Sequence, residues 1–285
     1  MSARIRLNWF DERLAKRAAD ITAGRLEAVP PRDASTVVIL RERTGSDPVP
    51  PEVLMLKRPG TMKFAAGAYV FPGGRVDEAD SDPGIGWHGP SPAEFGDKLG
   101  ASPELARALV VAAVRETYEE SGILLAGTPD GAFAVPSGPS WDADRVAVNA
   151  GQLAFSALLA KRGLVVLADR LAAWDRWITP EAEPRRFDAR FFAAVVPPGQ
   201  STYGHVAEAD QIAWVDPAAG LERARAGEIT LLPPTAAILG ELAGLAGSVS
   251  EALAKPRAIT PIQPRVTVDG SQAWLEVPEG VAYPL

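Results

Sequence analysis

One stretch of this chain has both of its ends written into the sequence. Residues 102–122 read S-P-E-L-A-R-A-L-V-V-A-A-V-R-E-T-Y-E-E-S-G. Ser102 suits an N-cap, Pro103 the first helical position and Glu104 the first turn. Gly122 suits the residue that ends the helix in a left-handed conformation. The chain is therefore committed to a helix here, with β-branched runs on either side of it.

The last two turns of that helix break a local rule. At about 100° per residue, Glu116, Glu119 and Glu120 fall in one arc about 100° wide. Ala112 and Ala113 fall in the same arc one turn earlier. Val110, Val111, Val114, Thr117 and Tyr118 fall opposite, so the helix packs through them. Like charges three and four residues apart cost about 0.2–0.5 kcal/mol per pair. Acids beside a helix C-terminus cost about 0.3–1 kcal/mol each. A total of about 1–3 kcal/mol calls for a compensating cation. Arg115, four residues before Glu119, is one. Hard oxygen donors without His or Cys point to Mg²⁺ or Mn²⁺ as another.

Composition narrows the alternatives. The chain has 285 residues, 47% hydrophobic and 23% charged, which suffices for a large core. A net charge of −7 argues against a nucleic-acid partner. With no cysteine, thiolate nucleophiles and Cys-based zinc sites are excluded. His88 and His205, the two histidines, leave little for a Ser-His-Asp triad. No apolar run reaches the roughly 18–20 residues of a membrane span. The first residues lack the apolar core of a signal peptide, and the C-terminal V-A-Y-P-L is not an S-K-L-type tripeptide. The expectation is a soluble cytoplasmic protein with no membrane partner.

Along the chain, residues 8–28 suggest an amphipathic helix. Residues 35–41, 52–57, 68–71, 187–196 and 211–215 read as strands. Residues 77–101, rich in Gly, Pro, Ser and Asp, read as a loop. Residues 143–161, 217–226 and 234–247 suggest helices, 164–177 is ambiguous between helix and strand, and 264–268 and 273–277 suggest strands. Residues 84–89, G-I-G-W-H-G, match the dinucleotide fingerprint only as letters, since no strand precedes them. The turn Pro72-Gly73-Gly74 ends a strand, and glycine there lets backbone approach a metal or phosphate closely.

G-G-R-V-D followed by R-E-T-Y-E-E-S-G-I resembles the signature of the Nudix hydrolases, G-x5-E-x7-R-E-U-x-E-E-x-G-U with U aliphatic. The resemblance implies an α/β/α sandwich around a mixed sheet, here with helical and loop insertions forming a cap over the site. It implies a single domain over 1–285, with a core near 35–240, an insertion near 75–101 and an extension near 256–285. It also implies Mg²⁺- or Mn²⁺-dependent hydrolysis of a nucleoside diphosphate linked to another group. By matched position Glu116, Glu119 and Glu120 would bind metal, Gly73 would add its carbonyl, and Arg115 would orient the glutamates. Forty residues separate Gly74 from Arg115, where the pattern has thirteen. The isolated glutamate of the pattern has no clean match. Counting forward from Gly74 gives Asp80 and counting back from Arg115 gives Arg107, and Asp77, Asp80 and Glu104 are candidates for the missing acid. Thr117 stands where an aliphatic residue is expected.

A long insertion at this place resembles the branch of coenzyme A and acyl-CoA diphosphatases. L-K-R-P-G-T-M-K-F-A-A-G-A-Y-V-F-P-G-G, W-I-T-P, R-R-F-D-A-R-F-F and L-L-P-P-T resemble it too. Candidate proton acceptors are Glu119, Glu120 and Glu208. Lys57, Arg58 and Lys63 are candidate phosphate contacts, and Gly74 and Arg75 further substrate contacts. Phe64 and Tyr69 suit either adenine stacking or core packing. Trp87, Trp141, Trp174 and Trp177 suit core packing better than a channel. Two other functions stay open: an ADP-ribose or nucleotide-sugar hydrolase, for which Pro139 sits at a suggestive distance from Ile123, and a non-catalytic ligand sensor. Homodimers are common in the family, and nothing in these residues shows one.

Overall fold

The computed structural model describes residues 4–6, 12–43, 50–60, 66–202, 211–245, 248–269 and 272–285. In chain order its elements begin with β1 (Arg4–Arg6), α1 (Glu12–Thr22), β2 (Arg32–Arg41), β3 (Glu52–Lys57), β4 (Ala68–Val70) and β5 (Gly73–Arg75). A 3₁₀ turn at Glu78–Ser81, β6 (Trp87–His88), α2 (Pro92–Leu99) and α3 (Pro103–Ser121) follow. Then come β7 (Ala126–Gly127), α4 (Pro139–Asn149), α5 (Phe155–Arg162), β8 (Val165–Leu167), β9 (Ala172–Ile178) and β10 (Phe187–Val195). The chain closes with β11 (Gln211–Val215), α6 (Pro217–Arg225), β12 (Thr230–Leu231), α7 (Pro233–Ala243), α8 (Val249–Ala254), β13 (Arg265–Asp269) and β14 (Gln272–Glu276).

The main sheet runs β12-β4-β3-β2-β10-β9 and is mixed. β10 lies parallel to β2 along its whole length, and β9 runs antiparallel to β10. β2 forks the sheet. Its end, Leu40 and Arg41, pairs with β3, while Ala34, Ser35 and Thr36 pair with β5. β3 also pairs with β11.

β2 is a run of β-branched and aliphatic residues because both of its faces are covered. Val37 and Ile39 belong to one core cluster with Leu109, Val110 and Val114 of α3, Phe95 and Leu99 of α2, and Leu158 of α5. Val38 and Leu40 belong to another with Leu221 of α6 and Ile238, Leu239 and Leu242 of α7. Phe192 and Phe191 of β10 divide between the clusters in the same way. Helices on both faces of a mixed sheet make the expected α/β/α sandwich.

The largest departure lies in residues 77–101. They hold a 3₁₀ turn, a short strand and α2 rather than a loop. α2 opens on a capping box, with Ser91 accepting from the Glu94 amide and Pro92 behind it, and ends at Gly100 with φ 61°. Its apolar side, Phe95 and Leu99, is fully buried in the first cluster. Phe95 meets Phe192 of the sheet and Trp87 of β6. The insertion is thus part of the core.

β6 pairs with β8 in a second small sheet, β6-β8-β7. This accounts for two of the glycines of G-I-G-W-H-G. A side chain at Gly86 would overlap Val165, and one at Gly89 would overlap the Asp169 backbone.

Smaller corrections follow the breakers. The helix expected over 143–161 is two, α4 and α5, split at Gly151, whose φ is 67°. The ambiguous stretch 164–177 resolves as β8, a 3₁₀ turn and β9. The helix expected over 8–28 spans Glu12–Thr22, and that expected over 234–247 spans Pro233–Ala243. Pro139 takes the first turn of α4 after Gly138, a structural reason for its presence. The tail strands form a third sheet with β1 in the order β1-β14-β13. Among the described residues no helix is long and apolar enough to cross a membrane.

Candidate active site

α3 begins and ends as its sequence dictates. Ser102 accepts from the Leu105 amide, Pro103 stands in the first turn, and Gly122 closes it at φ 80°. The expected split into a packed arc and an open arc does not hold. From Ala108 to Tyr118 every residue except Glu116 is buried. Thr117 fits its aliphatic position because its hydroxyl is turned back onto the Ala113 carbonyl, at 2.7 Å.

The arc bearing the glutamates faces β5. Ser35 Oγ of β2 donates to the Leu109 carbonyl at 2.6 Å, tying α3 to the sheet. β5 lies beside the same stretch of β2, with Gly73 opposite Thr36 and Gly74 opposite Ser35. Gly73 donates its amide to Glu120 Oε2 at 2.8 Å. At Gly74 a Cβ would overlap the Glu116 carboxylate, and at Gly73 it would overlap the Ser35 carbonyl and Thr36. Gly73 is therefore required by close approach to the neighbouring strand, whereas a methyl at Gly74 would displace the end of the Glu116 side chain.

Arg115 is the hub of the site. Its Nε and Nη2 donate to Asp80 Oδ1 and Oδ2 at 2.8 and 2.9 Å. Nη1 donates to Glu116 Oε1 at 2.7 Å and to Glu119 Oε2 at 3.4 Å. Nη2 also reaches the Arg75 carbonyl at 3.1 Å. Burial alone would lower the guanidinium pKa, but the Asp80 hydrogen bonds and the charges of Glu116, Asp80 and Glu119 together raise it.

Of the acids that sequence spacing left open, Asp80 is the one doubly bonded to Arg115. It is 1% exposed and sits in the 3₁₀ turn just before the insertion departs. Asp77 donates its amide to Asp80 Oδ2 at 2.8 Å, and Arg75 pairs with Asp77 at 2.9 Å. Of the other candidates, Asp77 lies 3.9 Å from Arg115 and Glu104 belongs to the far end of α3. The forward count from Gly74 thus reaches the acid that pairs with Arg115. Arg107, reached by the backward count, donates to the carbonyls of Asp82, Pro83 and Ile85.

The three glutamates differ. Glu120 accepts the Gly73 backbone amide. The Glu119 carboxyl is pushed up to about 7 by burial, with Glu116 adding to the effect and Arg115 opposing it. Its side chain keeps 22% of its surface exposed. Asn149 of α4 donates to the Glu119 carbonyl at 3.2 Å, covering one of the terminal carbonyls of α3.

Among the described residues no three acidic or imidazole groups converge on one point. Glu116 and Glu119 share Arg115 instead. In kind the donors suit Mg²⁺ or Mn²⁺, since all are carboxylate oxygens on one helical arc. His88 is remote in role, bonded to the Pro129 carbonyl.

Other expected residues are scattered. Lys57 ends β3, opposite Tyr69 and Gln211. Arg58 follows it, and its Nε is buried with no hydrogen-bond partner among the described residues. Tyr69 is core, its hydroxyl donating to Gln211. Arg75 is exposed beside a shallow groove of about 400 Å³ that Arg32, Asp33, Asp77, Glu78 and Ser81 also line. The four tryptophans pack: Trp87 and Trp141 against the first cluster, Trp174 and Trp177 within the second. Lys63, Phe64 and Glu208 lie outside the described residues.

A helix bearing R-E-x-x-E-E, set against a glycine pair on the edge of a strand inside an α/β/α sandwich, defines a Nudix hydrolase fold. Residues 91–242 match the NUDT19 Nudix domain, and the chain belongs to that family. It is 32% identical to a solved NUDIX hydrolase from Alicyclobacillus acidocaldarius, with a TM-score of 0.63, covering 81% of this chain and 99% of that one. It is 30% identical over 203 residues to putative nudix hydrolase 7 of Caenorhabditis elegans, covering 71% of this chain and 57% of the relative. It is 31% identical over 231 residues to human acyl-coenzyme A diphosphatase NUDT19, covering 66% and 60%. The chain thus spans about three fifths of the curated relatives it matches.

Proposed function

We infer that this protein is a pyrophosphohydrolase that cleaves the diphosphate of coenzyme A or acyl-CoA, giving 3′,5′-ADP and (acyl-)phosphopantetheine. One observation carries the hydrolase reading: three glutamates crowd one end of α3, Glu116 against Gly74 and Glu120 on the Gly73 amide, with Arg115 holding Glu116 and Glu119. A helix keeps so costly a cluster where it has work for the charge.

Glu116, Glu119 and Glu120 would hold Mg²⁺ or Mn²⁺, with Gly73 beside them. Such an ion neutralises diphosphate charge and lowers the pKa of water. The chain's own groups do the rest. Arg115 fixes the carboxylates of Glu116 and Glu119, and Asp80 fixes Arg115. Glu120 is held by the Gly73 amide. Glu119 is the candidate proton acceptor on α3. Glu208 is the alternative from the sequence.

The coenzyme A assignment is supported by the relatives named acyl-coenzyme A diphosphatase and by Arg58, just after β3, whose buried Nε has no partner among the described residues. Arg58 and Lys57 would meet the phosphates. The test is chromatographic product analysis with Mg²⁺ or Mn²⁺ and coenzyme A, acetyl-CoA, a long-chain acyl-CoA, ADP-ribose, NADH and dGTP, with Glu119→Gln as control. 3′,5′-ADP from the CoA compounds alone is the expected result. AMP from ADP-ribose or NADH instead would discard the branch. No turnover by the folded protein would favour a sensor.

A further inference from the structure

Asp80 can hold Arg115 only if its own turn is held. That turn is a single 3₁₀ turn, Glu78–Ser81, and such turns have weak internal hydrogen bonds. Its own bonds are Asp80 N to the Asp77 carbonyl at 3.0 Å and Asp82 N to the Ala79 carbonyl at 3.3 Å. From its end departs the long insertion that the family pattern lacks.

We propose that Arg107 is a positioning residue for the active site, pinning the root of the insertion to α3 and thereby keeping Asp80 on Arg115. Arg107 lies two turns before Arg115 on the same helix. Its Nε donates to the Asp82 carbonyl at 3.2 Å, and its Nη2 donates to the carbonyls of Pro83, at 3.2 Å, and Ile85. Its guanidinium lies 5.4 Å from the centre of the Trp87 ring, which anchors the next part of the insertion. One helix therefore grips the chain on both sides of one short turn: Arg115 through Asp80, and Arg107 through the three carbonyls. A planar fork spreads its donors over carbonyls so arranged, which the single nitrogen of a lysine does less well. The backward count that reaches Arg107 thus lands on a residue that serves the missing acid without replacing it.

This inference rests on the reading of the α3 glutamates as the catalytic site. Its test has two arms. In the first, kcat and KM are measured for Arg107→Ala, Asp80→Asn and the double variant. Arg107→Ala is expected to lower kcat roughly tenfold to a hundredfold, as misplacement of about an ångström does, while KM stays within about threefold. In the Asp80→Asn background the same change should cost less than about twofold, because both act through one contact. Independent, multiplying effects would overturn the proposal, as would an unchanged kcat. The second arm needs no turnover: hydrogen exchange of the amides of Asp80, Asp82 and Ile85 should quicken in Arg107→Ala while α2 stays protected. Unchanged exchange overturns the proposal even if the wild type hydrolyses nothing offered to it. If Arg107→Ala does not fold, Arg107→Lys replaces it, with the same expected directions.

Discussion

Arg115 and Asp80 form two parallel hydrogen bonds, 2.8 and 2.9 Å long, across thirty-five residues of sequence. Both partners are buried, Asp80 at 1% exposure and Arg115 at 9%. The pair joins α3 to the strand–turn segment bearing the glycines. It also leaves Nη1 of Arg115 aimed at Glu116 and Glu119.

Removing one member of such a pair strands the other's charge. Asp80→Ala should destabilise the fold by about 3–5 kcal/mol, read from urea unfolding midpoints at constant slope. A midpoint equal to that of the wild type would show that the pair holds nothing.

The adjacent glycines should respond in opposite ways to one methyl group. At Gly73 the methyl meets backbone, the Ser35 carbonyl and Thr36 Cα, so Gly73→Ala should cost about 1–3 kcal/mol. At Gly74 it meets only the end of the flexible Glu116 side chain. Gly74→Ala should therefore change stability by under about 1 kcal/mol yet displace Glu116 and lower turnover at least tenfold. Thermal unfolding alongside a turnover assay separates the two, and matching profiles for both variants would contradict this geometry.

Glu119 makes stability depend on pH with an unusual sign. Its carboxyl titrates near 7 in the folded chain against an ordinary 4.5. The folded state thus holds the proton more tightly, and the stabilisation is fully present below pH 4.5. It is lost as pH rises from 4.5 to about 7, by about 3 kcal/mol. With chelator present, the wild type should lose stability relative to Glu119→Gln across that window. A constant difference between pH 4.5 and 7.5 would refute the assignment.

Thr117 offers a control within the same helix. Its hydroxyl serves only the Ala113 carbonyl, which an α-helix already satisfies. Thr117→Val should leave turnover unchanged and stability within about 1 kcal/mol of wild type. A drop beyond about 2 kcal/mol would give the hydroxyl a role not seen in these contacts.

Much of this site could be read from letters alone. The caps of α3, its glutamate arc and the Gly73–Gly74 turn follow from local rules. Those rules hold because backbone geometry within a few residues decides them. Asp80 was harder. Choosing it over Asp77 or Glu104 requires knowing where the insertion leaves the turn, which is a matter of tertiary contact. α2 carries a signal in plain view, S-P-A-E at 91–94, of the same kind as S-P-E-L at 102–105. The glycines and prolines around it masked that signal. The burial of α3 on nearly every face was not legible, because a wheel shows where side chains point and not what covers them. The close approach of β5 to Glu116 is likewise a contact between residues far apart in sequence.

In the proposed mechanism the α3 glutamates together hold a divalent cation. Mn²⁺ titration followed by electron paramagnetic resonance of the free ion tests it without any substrate. The wild type should bind Mn²⁺, and Glu119→Gln and Glu120→Gln should each weaken that binding at least tenfold while remaining folded. Equal binding by all three proteins would contradict the account.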